Sequence, residues 1–291
     1  MPTTIRVRTA RASAMFFALA FMACSGGDDP VQLVYRFDAA PGQAFSTTLS
    51  QSLGVRMGDH AMDGTRELHA RYRIMADAPH AGHDLRAIVR LDTVRASLIW
   101  GPNEQRIDTR HLAGREFALT VAPNGGEPTY DPASLPTMDM GQLGGGSVAP
   151  SLLIDYGFPT LPAEPVSTGS TWSETRTSRR LEATIWVTAN VETTYRVTGR
   201  EHIDGTRCLT IASASTGTLS DGNAHGDPVA FTGQLHGTAH WCFDAESGVL
   251  VRMTGEEITE GSIPRDEGAA ATVNQSTKIE IHHVAGERGY R

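Results

Sequence analysis

Apolar and polar residues alternate with a period of two along much of the chain. Residues 31–38, 85–92 and 231–243 show this alternation most clearly, each with one mainly apolar side and one mainly polar side. Antiparallel strands with one solvated face have this pattern, whereas a helix repeats every 3.6 residues. No helical repeat persists for about twelve residues. The pattern therefore predicts an all-β protein.

Turn-forming dipeptides separate these alternating stretches. Asp-Gly, Asn-Gly and Ser-Gly pairs occur at 63–64, 124–125, 204–205, 221–222 and 247–248. These residue types tolerate the backbone conformations that tight turns require. We expect the pairs to connect neighbouring strands, so that the sheets are antiparallel.

The chain changes character near its middle. Residues 141–148 are rich in glycine, and residues 151–156 favour a short helix. Glycine-rich segments make flexible connections rather than strands. We therefore predict a first β unit at 31–130, a linker with a short helix at 131–168, and a second β unit at 169–286.

The two β units share sequence features. Residues 42–48 resemble residues 169–175, with an aromatic residue at the fourth position of each, and Tyr72 corresponds to Tyr195. The correspondence predicts two related β units. We expect their antiparallel sheets to form a curved or clam-like half-barrel.

The N-terminus has the features of an export signal. Three arginines precede ten apolar residues at 14–23, a length typical of a signal peptide and too short for a membrane-spanning helix. Cys24 follows, and residues 25–30 form a small, polar tether. We predict a lipoprotein signal peptide at 1–24, with the lipid attached to Cys24.

The residues around the cysteine leave a second interpretation open. A small residue followed by cysteine resembles the bacterial lipoprotein signal, from which Phe21 and Met22 depart. Ordinary cleavage after Ala20 is the alternative, and it leaves Cys24 as a free thiol. Ser25 resembles the outer-membrane sorting pattern of lipoproteins. The expected location is therefore the bacterial cell envelope, lipid-anchored at the outer membrane and facing the periplasm or the surface.

Charge and motifs exclude several classes of function. The formal net charge is −8, whereas nucleic-acid binding needs clustered Lys and Arg, so no nucleic acid is expected as a partner. Lys278 is the only lysine, which excludes a Walker P-loop. The sequence contains no Gly-x-Ser-x-Gly, His-Glu-x-x-His or Gly-x-Gly-x-x-Gly motif. We expect a protein without catalytic residues or a cofactor.

Histidines do not provide a convincing metal site. His80 and His83 have His-x-x-His spacing within a turn-like stretch, and His282 and His283 are adjacent. A zinc site needs about three or four converging ligands whose orientation is supported by further contacts. We therefore predict no bound metal.

Two cysteines remain if Cys24 carries the lipid. An even number of cysteines in an oxidising compartment predicts a disulfide between Cys208 and Cys242. Both lie on the side opposite the apolar residues of their strands. Their midpoint is residue 225, so a hairpin folded there places them directly opposite each other. Two unpaired thiols are the alternative.

One longer motif resembles a family. Residues 161–172 read Leu-Pro-Ala-Glu-Pro-Val-Ser-Thr-Gly-Ser-Thr-Trp and precede Tyr195, Cys208 and the turn at 243–248. This resembles a family of uncharacterised bacterial secreted proteins with a Leu-Pro-x-x-Pro-Val-x-x-Gly-x-x-Trp element before a β-rich half. The resemblance covers roughly residues 31–285. It implies a β-protein of the envelope and supplies no catalytic residues.

These features favour a non-enzymatic envelope lipoprotein whose concave sheet binds an apolar ligand, by analogy of fold alone. The alternative is a structural or interaction module that binds another envelope protein through a sheet edge. An envelope hydrolase with a site assembled from distant residues ranks third. The expected partners are the membrane, through the N-terminal lipid, and an apolar ligand or an envelope protein. The four tryptophans are expected in the core.

The membrane anchor gives a direct test. Replacing Cys24 with serine removes the only thiol that the signal presents for lipidation. We expect the Cys24→Ser protein to move from the membrane fraction to the soluble periplasm, measured by fractionation. A substituted protein that stays in the membrane fraction to the same extent as the wild type would contradict the lipoprotein interpretation.

Overall fold

Strands make up most of the computed structural model, which describes residues 29–38, 42–77, 84–141, 146–182, 185–224, 227–264 and 270–284. Cys24, His80 and His83 lie outside the described residues. Leu152–Asp155 form one helical turn, α1, and Arg110–Leu112 form a 3-10 turn. No helix in the described ranges is long and apolar enough to cross a membrane. The strands are β1 (Gln43–Met57), β2 (His60–Ala76), β3 (Leu85–Trp100), β4 (Asn103–Ile107), β5 (Glu116–Ala122), β6 (Gly125–Tyr130), β7 (Met138–Asp139), β8 (Ser147–Val148), β9 (Thr171–Glu182), β10 (Ile185–Ile203), β11 (Thr206–Ala224), β12 (Asp227–Asp244), β13 (Val249–Ile263) and β14 (Ala271–His283).

Twelve of the strands form one antiparallel sheet. Their order is β6-β5-β3-β2-β1-β14-β13-β12-β11-β10-β9, with β4 also paired to β3. β1 pairs with β14 over twelve residue pairs, which joins the two predicted units into a continuous sheet. The sheet curls into an open half-barrel, and β7 and β8 form a separate small ribbon. The predicted all-β half-barrel with a short helix is confirmed.

The two units repeat one aromatic arrangement. Phe45 lies opposite Tyr72 in the β1–β2 hairpin, and Trp172 lies opposite Tyr195 in the β9–β10 hairpin. Both pairs are stacked, with ring centroids 5.7 and 5.2 Å apart. These are the positions that correspond in the sequence, so the aromatic side chains hold the same cross-strand place in each unit.

Residues 31–37 lie inside the curl. They do not form a strand of the sheet, although their apolar and polar residues alternate as in a strand. Leu33 and Tyr35 are buried as the alternation predicts. The backbone of the segment, however, bonds to turns: Tyr35 N donates to Pro123 O at 2.8 Å, and Arg36 N donates to Gly248 O at 3.0 Å. The segment therefore acts as a strap (residues 31–37) that joins the β5–β6 turn to the β12–β13 turn.

The linker spans the gap between the two edge strands. Leu161 N donates to Asn124 O beside β6, at 2.6 Å, and Gly126 N donates to Phe158 O at 3.1 Å. On the other side, Trp172 Nε1 of β9 donates to Thr160 O at 2.7 Å. Residues 157–161 thus cover the opening between β6 and β9.

Two expected turns lie inside strands. The β1–β2 turn occurs at Gly58, whose φ is +58°, and not at Asp63–Gly64. Gly64 is required for packing, because a Cβ there would lie 2.7 Å from the ring of Trp100. Asp221–Gly222 lies at a β-bulge within the β11–β12 pair, and β11 continues to Ala224.

The disulfide joins Cys208 and Cys242, as predicted, with their Cα atoms 5.4 Å apart. Their predicted register is wrong, because Cys242 lies opposite Thr210 and the bridge runs diagonally. Ala224 pairs with Asp227, so the hairpin is not centred on residue 225. The bulge near Asp221 adds a second shift, and the two shifts together displace the register by two residues. Both cysteines are buried with Val251 in a small cluster.

Reduction of the disulfide should lower stability. A bridge over 34 residues is worth roughly 3–4 kcal/mol in the chain-entropy model. Because both units share one sheet, we expect reductant to lower the midpoint of a single thermal transition, measured by circular dichroism. A double Cys208→Ala, Cys242→Ala variant should melt at the reduced midpoint and show no response to reductant. Equal midpoints for oxidised and reduced wild type would contradict this role.

Candidate ligand-binding cavity

A cavity of about 360 Å³ lies inside the curl. Its floor is the inner face of β11, β12 and β13, where small residues occupy neighbouring positions across the strands. The floor residues are Ser213, Ser215, Gly237, Ala239 and Gly255. Because these side chains are short, the inner face of the central strands leaves space that larger residues would fill.

Larger side chains bound the floor. Along the strands, the floor ends at Trp241 and Met253 in one direction and at Glu257 and Thr277 in the other. The linker forms the roof, with α1 and Phe158 over the space. The cavity therefore has an apolar end and a polar end.

β9 contributes charged residues to the interior. Glu174, Arg176 and Arg180 alternate with exposed residues along this strand and line the cavity. Glu182 continues the series and is 1% exposed. Inward-pointing charges are one way in which an edge strand avoids pairing with other chains, so part of this pattern has a structural reason.

Arg180 forms an ion pair across the interior. Its guanidinium donates to both carboxylate oxygens of Glu257 on β13, and Nη1 lies 2.9 Å from Oε2. Nη2 also donates to Tyr156 Oη of the linker at 3.3 Å. In the sheet, β10, β11 and β12 separate β9 from β13, so the contact requires the curl.

A buried polar layer continues from this pair. Gln275 Nε2 donates to Glu182 Oε2 at 2.8 Å, and Gln51 Nε2 donates to Thr277 Oγ1 at 3.1 Å. Arg66 Nε donates to Gln51 Oε1 at 2.6 Å, and burial lowers the pKa of Arg66 to about 10. Burial raises the pKa of Glu182 to about 7. The layer connects β9 to β14, β1 and β2.

Glu174 is held by three donors. Tyr195 Oη donates to Oε1 at 2.5 Å, and Thr160 Oγ1 of the linker donates to Oε2. Arg176 Nη2 also approaches Oε2, at 3.4 Å. The carboxylate is therefore satisfied mainly by hydroxyl groups, and it fixes the linker to β9.

Asp155 is a buried carboxyl group whose pKa lies above its ordinary value. Tyr130 Oη donates to Asp155 Oδ1 at 2.5 Å. Burial raises the pKa of Asp155 to about 7, and the charge of Glu127 adds to this effect. A substantial fraction of Asp155 is therefore protonated at neutral pH. The part of the cavity around Asp155 then carries less negative charge than its residue types suggest.

The residues singled out in the sequence do not converge on this cavity. The Cys208–Cys242 bridge lies in a separate cluster on the other face of the sheet. His282 and His283 point to opposite faces, and His283 packs against Phe45 with ring centroids 5.4 Å apart. No group of three or more His, Cys, Asp or Glu suited to a metal occurs among the described residues.

The tryptophans pack in or against the core, and two of them also line the cavity. Trp100 lies in a buried cluster with Leu53 and Phe231, as expected of a core residue. Trp241 belongs to the main buried core and Trp186 packs against that core, and both also line the cavity. Trp241 Nε1 donates to Ser213 Oγ of the floor at 3.1 Å.

The charged cavity residues were not identified from the sequence. Residues 173–180 are all Ser, Thr, Glu or Arg, so both faces of the strand are polar. A period-two pattern assigns an inner face only when one set is apolar. The one available signal was Trp172, which shares its parity with Glu174 and Arg176 and so marks the inner face.

Comparisons with known proteins give little guidance. No family model and no curated protein matches the sequence. Among solved structures, a DUF1329 family protein from Desulfovibrio piger is similar at 9% identity, over 83% of this chain and 86% of that chain, with a TM-score of 0.16. At that TM-score the likeness carries no argument about function. The Leu-Pro-x-x-Pro-Val motif and the lipoprotein signal gain no support from these matches.

The titration of Asp155 predicts a pH dependence. Its native pKa of about 7 exceeds the ordinary value of 3.8, so the native state binds more protons than the unfolded chain between these values. We therefore expect the free energy of unfolding to fall as pH rises from about 4 to 7, measured by urea denaturation. Asp155→Asn should flatten the profile, leaving the share of Glu182.

Exposed Asp84 provides the control for this measurement. Asp84→Asn should keep the wild-type slope. Parallel profiles for the wild type and Asp155→Asn would show that Asp155 is not the titrating group.

Proposed function

We propose that this protein is a non-enzymatic lipoprotein of the bacterial cell envelope that binds an apolar ligand inside its curled sheet. The lipid on Cys24 is the proposed anchor, and the cavity between the sheet and the linker is the proposed binding site. The small-residue floor is the observation that supports ligand binding most directly, because it creates space where the rest of the inner face is filled.

The size and lining of the cavity suit a small amphiphile. Small-molecule sites typically measure about 300–1,000 Å³, and this cavity is near the lower end of that range. Trp241, Met253 and Ile279 provide apolar contacts at one end. The Arg180–Glu257 pair lies at the other end and is already internally satisfied. A single alkyl chain therefore suits the site better than a bulky lipid.

An interaction module would use a different surface. Large side chains with substantial exposure include Met57, Met62 and Ile258. Met57 and Met62 belong to the β1–β2 hairpin, whereas Ile258 lies on β13. They do not line the interior cavity, so the binding test below separates the two functions.

Filling the cavity tests the proposal. A Cβ at Gly237 meets no atom closer than 3.4 Å, so Gly237→Leu places a side chain in the space without a backbone clash. With the neutral dye N-phenyl-1-naphthylamine as probe, we expect wild-type protein to bind and Gly237→Leu to bind about tenfold more weakly or worse, which is about 1.4 kcal/mol. Fluorescence titration measures both affinities.

Thr216→Leu is the matched control. Thr216 is exposed on β11 and does not line the cavity, so this variant should bind the dye like the wild type. Circular dichroism checks that both variants fold. Dye binding that is equally strong in Gly237→Leu, or absent in folded wild type, would refute a ligand site in this cavity.

A further inference from the structure

Arg176 differs from the other arginines in the interior. Its side chain is 28% exposed and lines the cavity from β9, opposite Val191. Within the described residues its one hydrogen bond is the 3.4 Å contact with Glu174. A guanidinium carries several N–H donors in a planar fork, so most of its donors have no protein acceptor in the described part of the chain.

Among the residues that the structure describes, Arg176 forms one ion pair, with Glu174, through a single 3.4 Å contact. Glu174 already accepts hydrogen bonds from Tyr195 and Thr160. Glu257 pairs with Arg180, and Glu256 pairs with Lys278 at 3.1 Å. Among the described contacts, none of these carboxylates forms a bidentate contact with Arg176.

Two further carboxyl groups line the cavity. Asp155 has a pKa raised to about 7 by burial, and Glu127 is exposed at the rim. Neither forms an ion pair with Arg176 within 4 Å among the described contacts. A half-buried cation with unused donors thus remains beside an apolar space.

We propose that the ligand carries one anionic group, a carboxylate or a phosphate, and that Arg176 binds this group. The inference rests on the proposed function and specifies the chemical class of its ligand. The planar fork of arginine matches the paired oxygens of both anions. An alkyl chain attached to such a group lies along the small-residue floor towards Trp241 and Met253. The ligand class is therefore a single-chain anionic amphiphile.

Displacement of the neutral dye by matched twelve-carbon compounds tests the inference. The competitors are dodecanoate, dodecyl phosphate, dodecanol and dodecyltrimethylammonium, each below its micelle concentration. We expect one or both anions to displace the dye from wild-type protein at concentrations about tenfold lower than dodecanol, because a charge-assisted hydrogen bond contributes about that factor. The relative affinity of the two anions identifies which group the site prefers.

Arg176→Gln should abolish the preference for anions while dodecanol and the dye still bind. Arg176→Lys keeps the charge and should retain part of the preference. Arg196→Gln, on the exposed face of β10, should behave like the wild type. Dye binding by Arg176→Gln shows directly that the variant is folded.

Two outcomes overturn the inference. One is that dodecanol displaces the dye from wild-type protein as effectively as the anions do. The other is that the preference for anions persists in Arg176→Gln. In both failures the neutral dye still binds, so the proposed ligand site survives. A wild-type protein that binds neither the dye nor any competitor instead removes the proposed function itself.

Discussion

A curled sheet that does not close leaves two strand edges and a concave face in need of cover. Here β6 and β9 are the edges, and their backbone groups and inner side chains need partners. The linker supplies them by bonding to Asn124 and Gly126 on one side and to Trp172 and Glu174 on the other. The rest of the interior, including the strap and the cavity, depends on this closure by segments that are not strands.

The same closure explains why the interior contains paired charges. Arg180 and Glu182 on the edge strand reach β13 and β14 because the sheet curls, and they connect to a polar layer that ends at Arg66. Charges that are buried and paired in this way favour one arrangement over others rather than adding much stability. Arg176 is the exception among them, because its single 3.4 Å contact with Glu174 leaves most of its N–H donors without an acceptor among the described residues.

Local patterns predicted the fold class and the disulfide, but not the way in which the chain closes on itself. The alternation at 31–38 identified the buried side of the strap correctly, since Leu33 and Tyr35 face inward, yet it could not show that the backbone partners are turns. The register of Cys242 depended on where the hairpin closes and on one bulge, and a midpoint calculation includes neither. The charged face of β9 was ambiguous because both of its sides are polar. These features depend on contacts between residues that are distant in the sequence.

The pairing of β1 with β14 has a consequence for how the chain folds. Phe45 and His283 are neighbours in space although 238 positions separate them, and the whole β1–β14 ladder is similarly non-local. Pairing β1 with β14 requires closing a very long loop, and this costs conformational entropy before the β1–β14 ladder contributes any stabilising contact. Folding should therefore be slow, and the hairpins of each unit should form before the ladder that unites them. The sheet cannot be completed until its last strand has been synthesised.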